Sequence, residues 1–290
     1  MALIGLVIRP GIKKALTAAD EVVQWAAKNG HRIVFEERSA GYFGEPGTGF
    51  HPERLIAECE PIVTLGGDGT LIGIARHTLE QKQPTIIGVN FGNLGFLTEI
   101  APDELLPTLD AYFAGRVSLA ERAMLRAEVI RSGQTVFASQ AVNDAIVQKG
   151  SRDRLLDLDF AVDAEDVMRV RGDGLILATP TGSTAYSLAA GGTIAHPGLN
   201  VLLVTPICPH SLTVRPFMLS MDSVCRISIP PYDGRVYLSV DGQVSTPLQA
   251  GDVVRVTKSP NRVHFVRSSH RSYFDILRVK LNWGIGNSAE

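Results

Sequence analysis

The apolar run Ile62-Val63-Thr64-Leu65 passes directly into Gly66-Gly67-Asp68-Gly69-Thr70, and few folds accommodate that junction. A short β-branched run, two glycines and a helix-like stretch predict strand, tight turn and helix in succession. The first turn of such a helix has backbone N–H groups without intrahelical partners, and a phosphate can lie against them. Asp68 is out of place there, because a carboxylate repels the anion that the glycines invite. It therefore has a task of its own, either taking a proton from a hydroxyl or facing a metal ion. A plain tight turn, which Gly-Gly and Asp-Gly dipeptides often form, explains the same residues without chemistry.

The surrounding sequence alternates strand and helix. Leu3–Ile8 reads as a first strand, Lys13–Lys28 as a helix stopped by Gly30, and Arg32–Phe35 as a second strand. Ser39–Phe50 is rich in Gly and Pro and reads as a loop, followed after the turn by a helix from about Leu71 to Glu80 and a strand over Thr85–Val89. This βαβ order predicts a parallel sheet covered by helices. From about Val117 the runs are short and separated by turns, as in Ala127–Arg131, Thr135–Ser139, Ala145–Gln148, Leu156–Val162 and Val236–Val240. The expected organisation is an α/β domain over 1–117, a mostly β domain over 118–270 and a segment over 271–290 that returns to the first domain, with Tyr273–Trp283 as a helix.

Composition narrows the function classes. At 290 residues, 45% hydrophobic and 20% charged, the chain is long enough for two domains and has the make-up of a folded soluble protein. Lys and Arg total 28 against 30 Asp and Glu, so no global field points to nucleic acid or an anionic membrane. The N-terminal apolar run is too short for a signal peptide or a membrane span. Cys59, Cys208 and Cys225 are scattered singly, without metal-site spacing, and are read as buried thiols in a reducing, cytoplasmic compartment.

Four further stretches combine Gly, Asn and Asp. Gly88-Val89-Asn90-Phe91-Gly92-Asn93-Leu94-Gly95-Phe96-Leu97 follows the next strand and so reaches the same carboxyl edge as the turn, where open α/β sheets bind ligands; its Phe91 and Phe96 are read as core. Asn143-Asp144 sits among apolar residues, so one of the pair is buried unless the backbone bends, and a ligand hydroxyl or a turn would each explain it. Arg171-Gly172-Asp173-Gly174 leads through a strand over Leu175–Ala178 into Thr179-Pro180-Thr181-Gly182-Ser183-Thr184-Ala185-Tyr186-Ser187-Leu188-Ala189-Ala190-Gly191-Gly192. Ser183 or Thr184 is placed to cap a helix that Gly191-Gly192 ends, and the crowd of hydroxyls beside Tyr186 suits an adenosine. Asp241-Gly242-Gln243 is by itself a hairpin turn. There is no GxGxxG, no GxxxxGK[ST], no GxSxG and no HExxH, and the seven histidines stand singly.

GGDGT, GVNFGNLGFLT, Asn143-Asp144 and above all RGDGLILATPTGSTAYSLAAGG closely resemble bacterial NAD kinases, in the right order over nearly the whole chain. GGDGT alone is shared with diacylglycerol- and sphingosine-type lipid kinases and echoes phosphofructokinase; the TPTGSTAYS block is far more specific. The resemblance implies a phosphofructokinase-like α/β domain with a β domain after it. It also implies transfer of the γ-phosphoryl of ATP, or of polyphosphate in some members, to the 2′-hydroxyl of the adenosine ribose of NAD.

Carried over by motif, Asp68 is the general base, and Gly67 and Gly69 offer N–H groups to phosphate. Asn143 and Asp144 hold NAD. Asp173, Thr184, Ala185 and Tyr186 line the dinucleotide pocket, Ser187 and Ala189 complete that wall, and Arg154, Arg171 and Gln243 are further NAD contacts. Mg²⁺ or another divalent cation arrives with ATP, since no ligand cluster for a tightly held metal is visible. Family members are usually homodimers or homotetramers. Ala189, Thr193 and Cys208 depart from the commonest serine, proline and serine; alanine at 189 lacks one hydroxyl hydrogen bond, about 0.5–1.5 kcal/mol. Two other readings stay open: a lipid kinase using the same turn, and a dinucleotide-binding regulator without turnover. The TPTGSTAYS block stands against the first, and Asp68 in an intact turn against the second.

Overall fold

The computed structural model of the chain describes residues 1–43, 47–150 and 154–283. In chain order the first elements are β1 (Leu3–Ile8), α1 (Lys13–Lys28), β2 (Arg32–Phe35), α2 (Glu37–Ala40), α3 (Pro52–Glu58), β3 (Ile62–Gly66), α4 (Asp68–Ala75), β4 (Thr85–Asn90) and α5 (Leu105–Phe113). Strands follow: β5 (Leu119–Arg131), β6 (Gln134–Ala141), β7 (Asp144–Lys149), β8 (Leu156–Val162), β9 (Glu165–Gly172) and β10 (Gly174–Ala178). After α6 (Tyr186–Ala189) come β11 (Val201–Ile207), β12 (Phe217–Ser220), β13 (Cys225–Ser228), β14 (Val236–Val240), β15 (Val244–Leu248), β16 (Val253–Val266) and α7 (Tyr273–Leu281). The chain divides into two compact units, one of Met1–Glu121 with Val263–Glu290 and one of Arg122–Arg262. The sequence reading put its breaks after 117 and 270.

In the first unit β1 lies between β2 and β3, β4 follows β3, and the end of β16 pairs with β4 through His264↔Thr85 and Phe265↔Ile86; every pairing is parallel. β3 and β4 are buried along their whole length, which is why they read as unbroken apolar runs rather than alternating ones. α1 lays Ala15, Ala19, Val22 and Ala26 into the core formed by Ile4, Leu6, Val63, Leu65, Ile87 and Val89. α4 begins at Asp68 and ends at Ala75, not over Leu71–Glu80. The Gly66-Gly67 turn is so tight that the helix starts at once, and Thr78 stops it by turning its hydroxyl onto Ala75 O at 2.6 Å. The loop expected over Ser39–Phe50 includes 44–46, which lie outside the described residues; Ser39 and Ala40 close the short α2 instead. The expected return segment includes 284–290, also outside them, and its helix is α7.

The second unit is mostly β. One sheet runs β16-β13-β8-β9, with β5 beside β16 and β6 beside β5. The other runs β12-β11-β10-β7-β14-β15, antiparallel throughout. β8, β13 and β14 alternate buried and half-buried residues, so each presents one apolar face. Those faces meet in a core that includes Phe160, Leu175, Leu177, Val204, Ile227, Leu238 and Val256. β10 is buried on both faces because Ile176 and Ala178 pack on the other side with Ile146, Ala195 and Leu203.

Candidate functional site

Three strands of the first unit end side by side at the carboxyl edge: β1 at Ile8, β3 at Gly66 and β4 at Asn90. Arg9 directly follows β1, Asp68 comes just after Gly67 past the end of β3, and β4 ends on Asn90, so this edge gathers three polar side chains. Asp68 stands in the first turn of α4, where a negative charge suits the helix dipole. Its carboxylate is turned to the glycine-rich stretch after β4. Oδ2 accepts from Phe96 N–H at 2.8 Å, and Oδ1 from Leu97 N–H at 3.1 Å, Thr98 N–H at 2.9 Å and the Thr98 hydroxyl at 2.8 Å. The odd carboxylate of the turn thus has four donors of its own, supplied by the stretch that sequence spacing placed on the same edge.

This approach explains Gly95. A Cβ there would lie 2.1 Å from Asp68 Oδ1 and 2.2 Å from Thr98 Oγ1, so only glycine lets the strand-4 loop reach the carboxylate. Asn90 completes the arrangement, donating from Nδ2 to Thr98 Oγ1 at 2.8 Å and accepting Gly92 N–H on Oδ1 at 2.7 Å. Phe91 packs half-buried against the core, and Phe96 lies beneath Lys280, 5.5 Å from ring centroid to Nζ. Arg9, directly after β1, is exposed, and its Nη1 comes within 3.9 Å of where a Gly67 Cβ would stand. Among the described residues no hydrogen bond or ion pair holds that guanidinium. Sequence reasoning put the stretch that contains Asn90 on this edge but named none of Arg9, Asn90 and Thr98 as site residues, because Arg9 meets Gly67, and Asn90 meets Thr98, only once β1, β3 and β4 pair.

In the second unit Asn143 lies in a bend and Asp144 opens β7, 3% exposed. The bend is held by Asp241, whose carboxylate accepts N–H from Val142 at 2.8 Å, Asn143 at 2.8 Å and Asp144 at 3.0 Å. Asp241 and Gly242 both have positive φ, 53° and 64°, and with Gln243 they form the three-residue loop that joins β14 to β15, where Val240 pairs with Val244. Asp241-Gly242-Gln243, read by itself as a hairpin turn, therefore also clamps the polar pair. Among the described residues neither the Asn143 nor the Asp144 side chain has a hydrogen-bond partner. Burial, and then the neighbouring Asp241 charge, push the Asp144 carboxyl up to about 7.

The Thr179–Gly182 segment presses against that bend. Thr179 donates from its N–H to Asn143 O at 2.8 Å and from its hydroxyl to Val142 O at 2.6 Å, and a Cβ on Gly182 would lie 2.1 Å from Asn143 O. No long helix follows. Thr181–Thr184 form a 3₁₀ turn and α6 has a single turn. Ser183 and Thr184 do not cap a helix, because their hydroxyls turn back onto Pro180 O at 2.6 Å and Thr181 O at 3.3 Å. Gly191, at φ 85°, ends α6. Tyr186 is 43% exposed and Ala189 is exposed, while the Ser187 hydroxyl is buried against Thr205 Oγ1 at 2.9 Å.

Asp173 stands in the bend between β9 and β10 with Lys149 Nζ at 3.4 Å. Gln243 lines a shallow cavity of about 350 Å³ with Gln148, Tyr237 and Ser239. Arg171 and Arg154 are exposed, and among the described residues no hydrogen bond ties either guanidinium to the Asn143–Asp144 bend. Cys59 and Cys225 are buried, with thiols pushed up to about 11 and about 12 by burial. Cys208 is exposed, contrary to expectation, because it sits past the end of β11 at φ 45°, in a left-handed bend. Among the described residues no helix is long and apolar enough to cross a membrane.

One unit carries a pinned carboxylate in a glycine-rich strand–turn–helix junction and the other a buried, unpartnered carboxylate, and the class of the chain, a nucleotide-handling transferase, follows from its likeness to known proteins. A family model described as the ATP-NAD kinase N-terminal domain matches residues 4–117, and one described as its C-terminal domain matches residues 142–268. The chain is 42% identical over 281 residues to the NAD kinase of Desulforamulus reducens, covering 97% of each chain. It is 40% identical over 284 residues to that of Syntrophotalea carbinolica, covering 98% of this chain and 99% of the relative. The fold is similar to that of yeast NADH kinase complexed with NADH, with a TM-score of 0.88, 25% identity and coverage of 100% and 89%. It is similar too to an NAD kinase from Archaeoglobus fulgidus in complex with ATP, with a TM-score of 0.74, 22% identity and coverage of 96% and 98%, a likeness of fold alone. The chain belongs to the ATP-NAD kinase family, and its class is that of an ATP-dependent NAD kinase.

Proposed function

We propose that this chain transfers the γ-phosphoryl group of ATP to the 2′-hydroxyl of the adenosine ribose of NAD, giving NADP and ADP, with Asp68 as general base. The bond from the ribose oxygen to phosphorus forms as the bond to the β-phosphate oxygen breaks, and the hydroxyl proton passes to Asp68. An alcohol is a poor nucleophile, so positioning and charge neutralisation supply most of the acceleration. The observation that supports this reading most is the Asp68 carboxylate itself, rigidly oriented by four donors at the carboxyl edge of a parallel sheet.

In this reading Gly67 and Gly69 offer N–H groups to the phosphates, and Arg9 adds a guanidinium suited to a polyanion. Asn143 and Asp144 bind NAD hydroxyls through side chains that the protein leaves unpartnered. Asp173, Thr184, Ala185, Tyr186 and Ala189 line the dinucleotide pocket, with Tyr186 offering an exposed stacking face. Ser187 supports that wall from within, through Thr205. Arg154, Arg171 and Gln243 are further NAD contacts. Among the described residues no three metal-ligating side chains gather, so a divalent cation such as Mg²⁺ fits as part of the bound nucleotide. When bound it neutralises charge on the phosphates. A cytoplasmic setting suits the three free thiols, and the assembly is read as a homodimer or homotetramer.

Incubation with ATP and either NAD or diacylglycerol tests the activity: NADP is expected, and lipid phosphorylation without NADP would overturn the reading. Asp68→Asn tests the base and is expected to lower turnover by at least about 10²-fold. The amide also turns an NH2 toward backbone donors, so melting is measured alongside. A folded Asp68→Asn with near-wild-type turnover removes Asp68 from the chemistry.

A further inference from the structure

The hydrogen bonds around Asp68 have a definite direction, set at one end by a backbone group. Asn90 Oδ1 accepts Gly92 N–H at 2.7 Å, and a backbone N–H can only donate, so the oxygen of the amide must face Gly92. The NH2 of Asn90 therefore faces Thr98 Oγ1, 2.8 Å away, and donates to it. Thr98 has one hydroxyl hydrogen and must direct it elsewhere. Its oxygen lies 2.8 Å from Asp68 Oδ1, which can only accept when ionised. The chain thus runs from Asn90 through Thr98 to Asp68, with Thr98 fully buried and Asn90 9% exposed.

The two oxygens of Asp68 are consequently unlike. Oδ1 receives three donors, the N–H groups of Leu97 and Thr98 and the Thr98 hydroxyl. Among the described residues Oδ2 receives one, Phe96 N–H. A carboxylate oxygen offers about two lone-pair directions. Oδ1 is saturated, and Oδ2 keeps a direction open.

We propose that Thr98 is a positioning residue for phosphoryl transfer, held by Asn90, and that it turns Asp68 so that Oδ2 is the atom that receives the hydroxyl proton. This rests on the reading of Asp68 as general base. The role belongs to the hydroxyl: the methyl group keeps the volume, and the O–H fixes the carboxylate about its Cβ–Cγ bond.

Three variants test it by steady-state kinetics, each with a melting curve. Thr98→Val keeps the shape and removes the donor; kcat is expected to fall about tenfold or more, with KM for ATP and for NAD within about twofold of wild type. Thr98→Ser restores the hydroxyl, and kcat is expected to return to within about threefold. Asn90→Ala leaves Thr98 in place but frees its hydroxyl to rotate, so kcat falls at unchanged KM even should the valine variant not fold. Unchanged kcat in folded Thr98→Val or Asn90→Ala, or a folded serine variant as slow as the valine one, would overturn the proposal. A wild type that makes no NADP sinks the activity and this proposal together. An active wild type with an equally active Asp68→Asn sinks the base, and an active wild type with a dead Asp68→Asn but an unimpaired Thr98→Val sinks only the positioning residue.

Discussion

At the scale of residues, the first unit assembles its chemistry from side chains that are far apart in sequence and contribute one function each. Gly95 contributes by absence, since any Cβ would collide with the Asp68 carboxylate. Arg9 contributes charge. Its guanidinium lies beside Gly67 and has no partner among the described residues, so contact with a nucleotide phosphate costs it no existing ion pair. A hydrogen bond to a charged group is worth about 1.5–3 kcal/mol, and solvent screening at this exposed position discounts that to the lower end. Arg9→Ala is therefore expected to raise the KM for ATP about tenfold while the KM for NAD and the melting temperature stay near wild type. Steady-state titration of each substrate checks it, and an unchanged ATP requirement would take Arg9 out of the phosphate site. Asp68 was legible in the sequence because a carboxylate in a glycine turn is chemically odd. Arg9 was not, because an arginine after a first strand is ordinary until β1 pairs with β3.

At the scale of elements, β7 begins on a charge that the fold does not favour. Asp144 is buried at the strand's first residue, and its carboxyl is pushed up to about 7 by burial and then by Asp241. The unfolded carboxyl titrates near 3.8, so between about 4 and 7 the folded chain holds a proton that the unfolded chain has lost. Stability from this group is complete below the unfolded value and is lost as pH rises to the folded one, at about 1.4 kcal/mol for each pH unit between the two. Asp144→Asn should flatten the dependence of melting temperature on pH between about 4 and 7 and melt higher than wild type above about pH 7. Melting curves across that range decide it; parallel curves for the two proteins would refute the buried titration. Periodicity located β7, β8, β14 and the parallel strands closely, because each buries one face or both. It misplaced α4 and the helix after Thr181, where side-chain hydroxyls, not apolar spacing, decide where the backbone turns.

At the scale of the whole molecule, the second unit is one continuous stretch and the first is not. Residues 122–262 hold the whole six-stranded sheet, the strands β6, β8, β9 and β13 that face it and the core between them, so a protein of those residues alone is expected to fold, with a β-type circular dichroism spectrum and a cooperative melt. A spectrum without strand signal would refute that independence. The sequence changes character near Val117, whereas the return at Val263 has no mark in it, because β16 continues in strand character across that point. That return has a consequence in time. β4 lies between β3 and the end of β16, so its edge at Thr85 and Ile86 has no strand partner until His264 and Phe265 have been made, whereas Val89, nearer Asn90, bridges Ile100 in the loop that follows. At about 5–20 residues/s, synthesis of the intervening unit lasts roughly ten to thirty seconds. The first unit is thus among the earliest parts to be translated, yet its sheet is among the last to be finished, waiting at Thr85 and Ile86 for a strand end that follows the whole β unit.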